Sequence, residues 1–298
     1  MDESHHHGHA ASHHVVFDSP GMAADAELEG EILIGLMAEG ATALAGLCDR
    51  HGLDVRRVLD IGCGPGVGTC CLAEEFGSAR VVAVDGSATM LERVKARSQR
   101  LGLAERVETR QAELPGGLAD LGGADVVWAS MVIHHVGDEA AALGGIRGLL
   151  TPGGLLAVVE VADPLRFLPP EADLGRPGIW ERLDAAWAAW FTGMRSELPE
   201  TVPSAGYPAM FEQAGFELLV DEVLTLVIGA PLDERARRFA HGRVQRMQHQ
   251  LEAHADAADL AALDGLLDED ADEGIMRRDD VLIRGTRHLY IARTRPES

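Results

Sequence analysis

Asp60-Ile61-Gly62-Cys63-Gly64-Pro65-Gly66 is the stretch whose residue types and spacing say most about chemistry. Val58, Leu59 and Ile61 read as a buried strand, and three alternate glycines then strip the following turn of Cβ atoms. Glycine admits positive φ and close approach of a bound molecule, while the next helix start offers unpaired N–H groups to it. A cofactor site is expected at this turn. A second acid, Asp85, follows nineteen residues after Gly66 at the tip of the apolar strand Arg80-Val81-Val82-Ala83-Val84. Such an acid accepts hydrogen bonds from ribose hydroxyls, although capping of a helix starting near Ser87 is the plainer role.

The dinucleotide fingerprint wants glycine at the first, third and sixth positions of its turn. Counted from Gly62 the sixth residue is Val67, and counted from Gly64 it is Thr69, which weakens an NAD-dependent oxidoreductase reading. The Asp-x-Gly-x-Gly-x-Gly run instead resembles the first motif of class I S-adenosylmethionine-dependent methyltransferases. The resemblance implies S-adenosylmethionine as cofactor, held by Asp60 facing its ammonium, by Gly62, Gly64 and Gly66, by Asp85 and Gly86 at the ribose, and by Met90 under the adenine. Gln111 and the Ala112 N–H stand where relatives place the adenine-binding turn, and Ser130 ends the fourth strand. A noncatalytic protein that binds S-adenosylmethionine or S-adenosylhomocysteine is the alternative from another class.

After Ala124–Ser130 comes the pair His134-His135, placed where ligands of open α/β sheets sit beyond strand ends. Imidazole suits removal of a proton from an acceptor because it titrates near neutrality, so both histidines are catalytic candidates. Glu160, at the tip of the fifth strand, is a candidate for orienting an acceptor amine or hydroxyl. The segment 179–191 gathers three of the four tryptophans, and Trp180 and Trp187 are candidate lining of an acceptor pocket under a lid. Arg182 and Arg195 are candidates for an acidic substrate group.

The elements that position these residues alternate strand with helix, so the expected fold is α/β. It is read as a doubly wound, mostly parallel seven-stranded sheet with helices on both faces. Residues 19–298 form one domain after a His-rich tail over 1–18: a cofactor-binding core at 55–160, helical insertions at 163–206 and 232–280, and terminal strands at 281–295. One amphipathic helix over 25–49 precedes the first strand, another runs from 145 to 150 before the turn Thr151-Pro152-Gly153-Gly154, and 281–283 and 288–292 are separate strands.

The chain has 298 residues, 46% of them hydrophobic, and a net charge of −22 from 48 acids against 26 bases. That charge repels phosphate backbones and argues for a small-molecule acceptor rather than nucleic acid. No apolar run has the length of a membrane helix and no start resembles a secretion signal, so a cytoplasmic protein without membrane partner is expected. The charged segment 232–272 reads either as a cap on the pocket or as a homodimer surface. Cys48, Cys63, Cys70 and Cys71 lack zinc or redox spacing; Cys63 and Cys70 are the two to test for a thiolate role, and no bound metal is expected.

Overall fold

The computed structural model describes residues 19–172 and 174–295; the His-rich tail lies outside them. Seven strands, β1 (Arg57–Ile61), β2 (Arg80–Asp85), β3 (Val107–Gln111), β4 (Ala124–Ser130), β5 (Leu150–Val161), β6 (Phe216–Ile228) and β7 (Ile283–Thr294), form one sheet in the order β3-β2-β1-β4-β5-β7-β6. The first five run parallel, and β7 inserts antiparallel between β5 and β6. Chain order reverses between β1 and β4, which opens a crevice at their carboxyl ends.

Alternation along each strand splits the core in two. Val58, Val81, Val126 and Trp128 face one layer, and Leu59, Val82, Val127 and Ala129 the other. The first layer holds α1 (Pro20–Ile32), α2 (Ile34–Arg50), α3 (Val67–Glu75) and α4 (Ala88–Arg100), together with the insertion helices α6 (Ile179–Ser196), α8 (Glu234–Leu251) and α9 (Ala257–Leu267). The second holds α5 (Glu139–Arg147) and α7 (Tyr207–Gln213). Among the described residues no single helix is long and apolar enough to cross a membrane.

Three expected elements differ. The helix over 25–49 is two helices meeting at 64° about Leu33, whose side chain is buried at the bend. The bend lets Gly30 bring α1 against Val67, while Gly35 and Gly40 bring α2 against Leu226 and Trp128. The helix expected at 145–150 begins earlier, at Glu139 with Asp138 as its cap, and stops at Arg147. Thr151-Pro152-Gly153-Gly154 is then absorbed into β5, where the register against β4 shifts between Ala124 and Val126. Finally, 283–294 is one strand, because β7 pairs along its length with β6 and with β5 over Arg287–Arg293.

Candidate functional site

Two backbone hydrogen bonds stitch the turn after β1 onto β2, for the N–H groups of Gly62 and Cys63 both donate to the Val84 carbonyl, at 2.8 and 3.0 Å. Gly62, Gly64 and Gly66 have φ of 67°, 52° and 81°, so all three occupy the left-handed region. Their surroundings differ. A Cβ on Gly62 would lie 2.3 Å from Val132 Cγ2, and one on Gly66 would lie 3.0 Å from Val94 Cα. A Cβ on Gly64 would meet nothing within 4 Å. Packing therefore accounts for two glycines, and Gly64 alone turns its bare Cα to open space. That is a cradle in which a ligand can rest on backbone, with α3 beginning immediately after Gly66.

The Asp85 carboxylate accepts from Gly64 N–H and Ser87 N–H, each at 2.9 Å. Ser87 in turn caps α4 through Met90 N–H. Asp85 thus fills the plainer of its two expected roles, fixing the helix start, and it holds the apex of the turn as well. Met90 is buried beneath the same region. Gln111 donates its side-chain amide to the Gly86 carbonyl at 2.8 Å and keeps its own oxygen for an acceptor role. Ala112 departs from expectation: its N–H is committed to the Asp85 carbonyl at 3.1 Å, extending the pairing of β2 and β3.

Asp60 is 2% exposed and accepts the Thr69 hydroxyl at 2.6 Å. Burial pushes its carboxyl up to about 7, with Thr69 opposing and Asp85 adding to the rise. The structure thus places Asp60 beneath the turn, against α3. The cysteines are buried, and burial raises their thiols, Cys70 to about 12 and Cys63 well above its ordinary value. Protonated thiols do not serve as thiolate ligands, so the cysteine expectation fails on desolvation.

Beyond Ser130 the chain turns sharply at Met131, a non-glycine with φ of 58°, and this turn sets Val132 against Gly62. Two residues later His134 Nδ1 lies 2.6 Å from Glu160 Oε2, while Glu160 Oε1 accepts the Ile133 N–H at 3.1 Å. A carboxylate only accepts, so Nδ1 is the protonated nitrogen and Nε2 carries the free lone pair. His134 and Glu160 line a cavity of about 230 Å³ with Trp187, Phe191, Tyr207 and Glu139. Trp187 and Phe191 stack at 5.1 Å between ring centroids, and Phe191 lies 5.8 Å from the His134 ring.

Several expected residues do not reach this cavity. The His135 side chain is exposed, its ring 4.1 Å from that of His134. Trp180 packs under the Arg166 guanidinium, 5.1 Å from it; seven residues before Trp187 it shares that residue's side of α6 but sits about 10 Å nearer the helix start, short of the cavity. Arg182 is spent on the buried Asp259 of α9, with two bonds of 2.7 Å. Arg195 does line the cavity, yet its guanidinium donates to the carbonyls of His134, Val136 and Gly137. It staples α6 to the loop bearing His134. Sequence reasoning missed Glu139 and Ser204 at the cavity, since a helix-starting acid and a loop serine carry no distinctive signal.

A methyltransferase-domain family model matches residues 58–154, the span from β1 to the bulge of β5. Over those residues the chain is similar to methyltransferase domains. Similar proteins include the trans-aconitate 2-methyltransferases of Azoarcus sp., 34% identical over 52% of this chain and 54% of that protein, and of Methylobacterium radiotolerans, 34% identical over 43% and 51%. An uncharacterized methyltransferase of Mycobacterium bovis is 36% identical over 38% of this chain and 54% of its own. The matched stretch thus spans about half the length of these relatives. Among solved structures the YcgJ protein of Bacillus subtilis has 17% identity and a TM-score of 0.49, covering 86% of this chain and 99% of that one. The matched residues include β1 to β4, whereas Glu160, α6 and Tyr207 lie outside them.

Proposed function

We propose that this chain transfers the methyl group of S-adenosylmethionine to a nucleophilic oxygen, nitrogen or carbon of a small molecule. One observation carries the reading: Gly64, at the carboxyl end of β1, presents a bare and open Cα while its N–H is held by the acid at the tip of β2. The residues present fit such a cofactor. Gly62, Gly64 and Gly66 form the cradle, Asp85 and Gly86 stand at the ribose side, Met90 and Gln111 at the adenine side, and Asp60 and Ser130 at the turn and strand ends.

When bound, the cofactor supplies a sulfonium methyl already activated for in-line displacement, so positioning and desolvation are the protein's main tasks. Val132 couples the two halves of the site, touching Gly62 while leading directly to His134. His134 Nε2 accepts the proton of an acceptor that arrives protonated. Glu160, fixed by the Ile133 N–H, holds the imidazole in the productive tautomer and stabilises its charged form. Arg195 keeps the His134 loop against α6, and Trp187 and Phe191 exclude water from the cavity.

A small-molecule acceptor agrees with the activity for which the relatives are named, with the cavity's size and with the net charge of −22. The test is a thermal-shift comparison of S-adenosylhomocysteine with NAD, followed by a crystal structure with the better ligand. Stabilisation by S-adenosylhomocysteine alone, with its sulfur open toward His134, is expected. Stabilisation by NAD alone would sink the reading.

A further inference from the structure

The acceptor cavity holds polar groups that the chain itself leaves incomplete. Glu139 is 4% exposed, and its Oε2 is buried with no hydrogen-bond partner. Its Oε1 faces Arg195 at 3.4 Å. The Tyr207 hydroxyl is likewise buried, with no well-formed hydrogen bond although the Glu160 carboxylate lies near it. A buried polar atom left unmade costs about 1–3 kcal/mol, so two of them lining one cavity mark where a ligand completes the set.

The charge around the cavity narrows that ligand's class. Glu139 and Glu160 are two carboxylates against one guanidinium, and Arg195 is the only lysine or arginine among the described residues lining it. Three hydrogen bonds tie its guanidinium to carbonyls, and it also faces Glu139 at 3.4 Å. An anionic ligand would therefore face two desolvated carboxylates against one guanidinium already engaged by backbone and by Glu139. Burial also pushes the Glu139 carboxyl up, with Arg195 and then a hydrogen bond from Ser204 opposing. The stacked Trp187 and Phe191 offer an aromatic wall suited to a ring or to a cation.

We infer that the acceptor is a compact, ring-bearing amine whose N–H donates to Glu139 Oε2, and that Glu139 is the residue that selects it. The inference rests on the proposed function for the ligand's role as acceptor, and it separates this chain from the tricarboxylate named for its relatives. Tyr207 supplies a second polar contact. Burial and the nearby Glu160 and Glu139 carboxylates push its phenol up, so the hydroxyl keeps its proton and can donate as well as accept.

The experiment is calorimetric titration of the full chain, with and without saturating S-adenosylhomocysteine. The probes are tyramine, 4-ethylphenol (the same ring without the ammonium) and trans-aconitate. Tyramine is expected to bind tightest, 4-ethylphenol about tenfold or more weaker, and trans-aconitate not at all. Glu139→Gln should weaken tyramine by about tenfold or more and leave 4-ethylphenol within about twofold. Tighter binding of trans-aconitate than of tyramine, no binding of tyramine, or an equal loss for both ring probes in the variant would each overturn the inference. The ranking on the unaltered chain decides the matter even where the variant fails to fold. A failure of S-adenosylhomocysteine to bind would count against the proposed function alone, since the probe ranking without it still reads the cavity.

Discussion

Asp85 accepts the Gly64 N–H at 2.9 Å across 21 residues of chain, so the acid at the tip of β2 holds the apex of the turn after β1. Its other oxygen holds Ser87 N–H at the start of α4, which makes one carboxylate the joint between turn, strand and helix. Asp85→Ala should therefore weaken S-adenosylhomocysteine binding by at least about tenfold and cost roughly 1–3 kcal/mol of stability. Calorimetry and urea unfolding read the two effects separately. Unchanged affinity would remove Asp85 from the ligand site and leave it a capping residue.

The three glycines should respond unequally. Gly64→Ala meets no neighbour and costs only the left-handed strain of about 1–2 kcal/mol, yet it places a methyl in the cradle and should abolish cofactor binding. Gly62→Ala adds a clash with Val132 to that strain and should cost roughly 2–5 kcal/mol. A folded Gly64→Ala variant with unaltered affinity would show that the open side of the turn is not where the ligand rests.

The His134 and Glu160 pair predicts a division between chemistry and binding. His134→Ala should lower kcat by about 10²- to 10⁴-fold on an acceptor that must lose a proton, and Glu160→Gln by a smaller factor in the same direction. KM should move little in either. His135→Ala, at an exposed ring outside the cavity, should stay near the unaltered rate. Equal losses at His134 and His135 would contradict this assignment.

Asp60 sets a pH dependence of definite sign. Its folded pKa, raised to about 7 by burial, exceeds the unfolded value of about 3.9. The folded state then holds a proton that the unfolded state releases, so stability falls as pH rises from about 4 to about 7. Asp60→Asn keeps an acceptor for Thr69 and should raise Tm at pH 8 but not at pH 4, by roughly 2–4 °C for each kcal/mol relieved. No Tm gain at pH 8 would place the carboxylate in a better solvated setting than the structure gives it.

The tie between α6 and α9 carries the opposite dependence. Hydrogen bonds from Arg182 and then Arg176, against the opposing pull of burial, hold Asp259 down at about 2. This contribution is present above the unfolded pKa of about 4 and is lost as pH falls toward 2. Asp259→Asn should cost about 2 kcal/mol at pH 7 and loosen α6 from α9, seen as faster amide exchange along α6. Unaltered exchange there would free α6 from this tie.

How much of this was legible in the sequence follows from what sets each element. The limits of β2, β3 and β4 are readable because each is a short apolar or β-prone run closed by a polar residue at its tip: Asp85, Gln111 and Ser130. The break at Leu33 was not, because an apolar residue at a bend looks like one more turn of an amphipathic stripe until Gly30 and Gly35 find their partners. The glycine turn and Asp85 announce themselves locally. Glu139, Arg195 and Tyr207 do not, since α5, α6 and α7 converge on the cavity only through packing. Trp187 and Trp180 share a side of α6 and differ in fate through about 10 Å of rise along it, which composition cannot separate.

Arg195 belongs at once to the wall of the acceptor cavity and to the backbone carbonyl of His134. A shift of α6 that enlarged the cavity for another molecule would drag His134 along with it. New acceptors should accordingly be reached by exchanging rings along an unmoved helix, as tools are swapped in a fixed holder, rather than by re-hanging the wall itself.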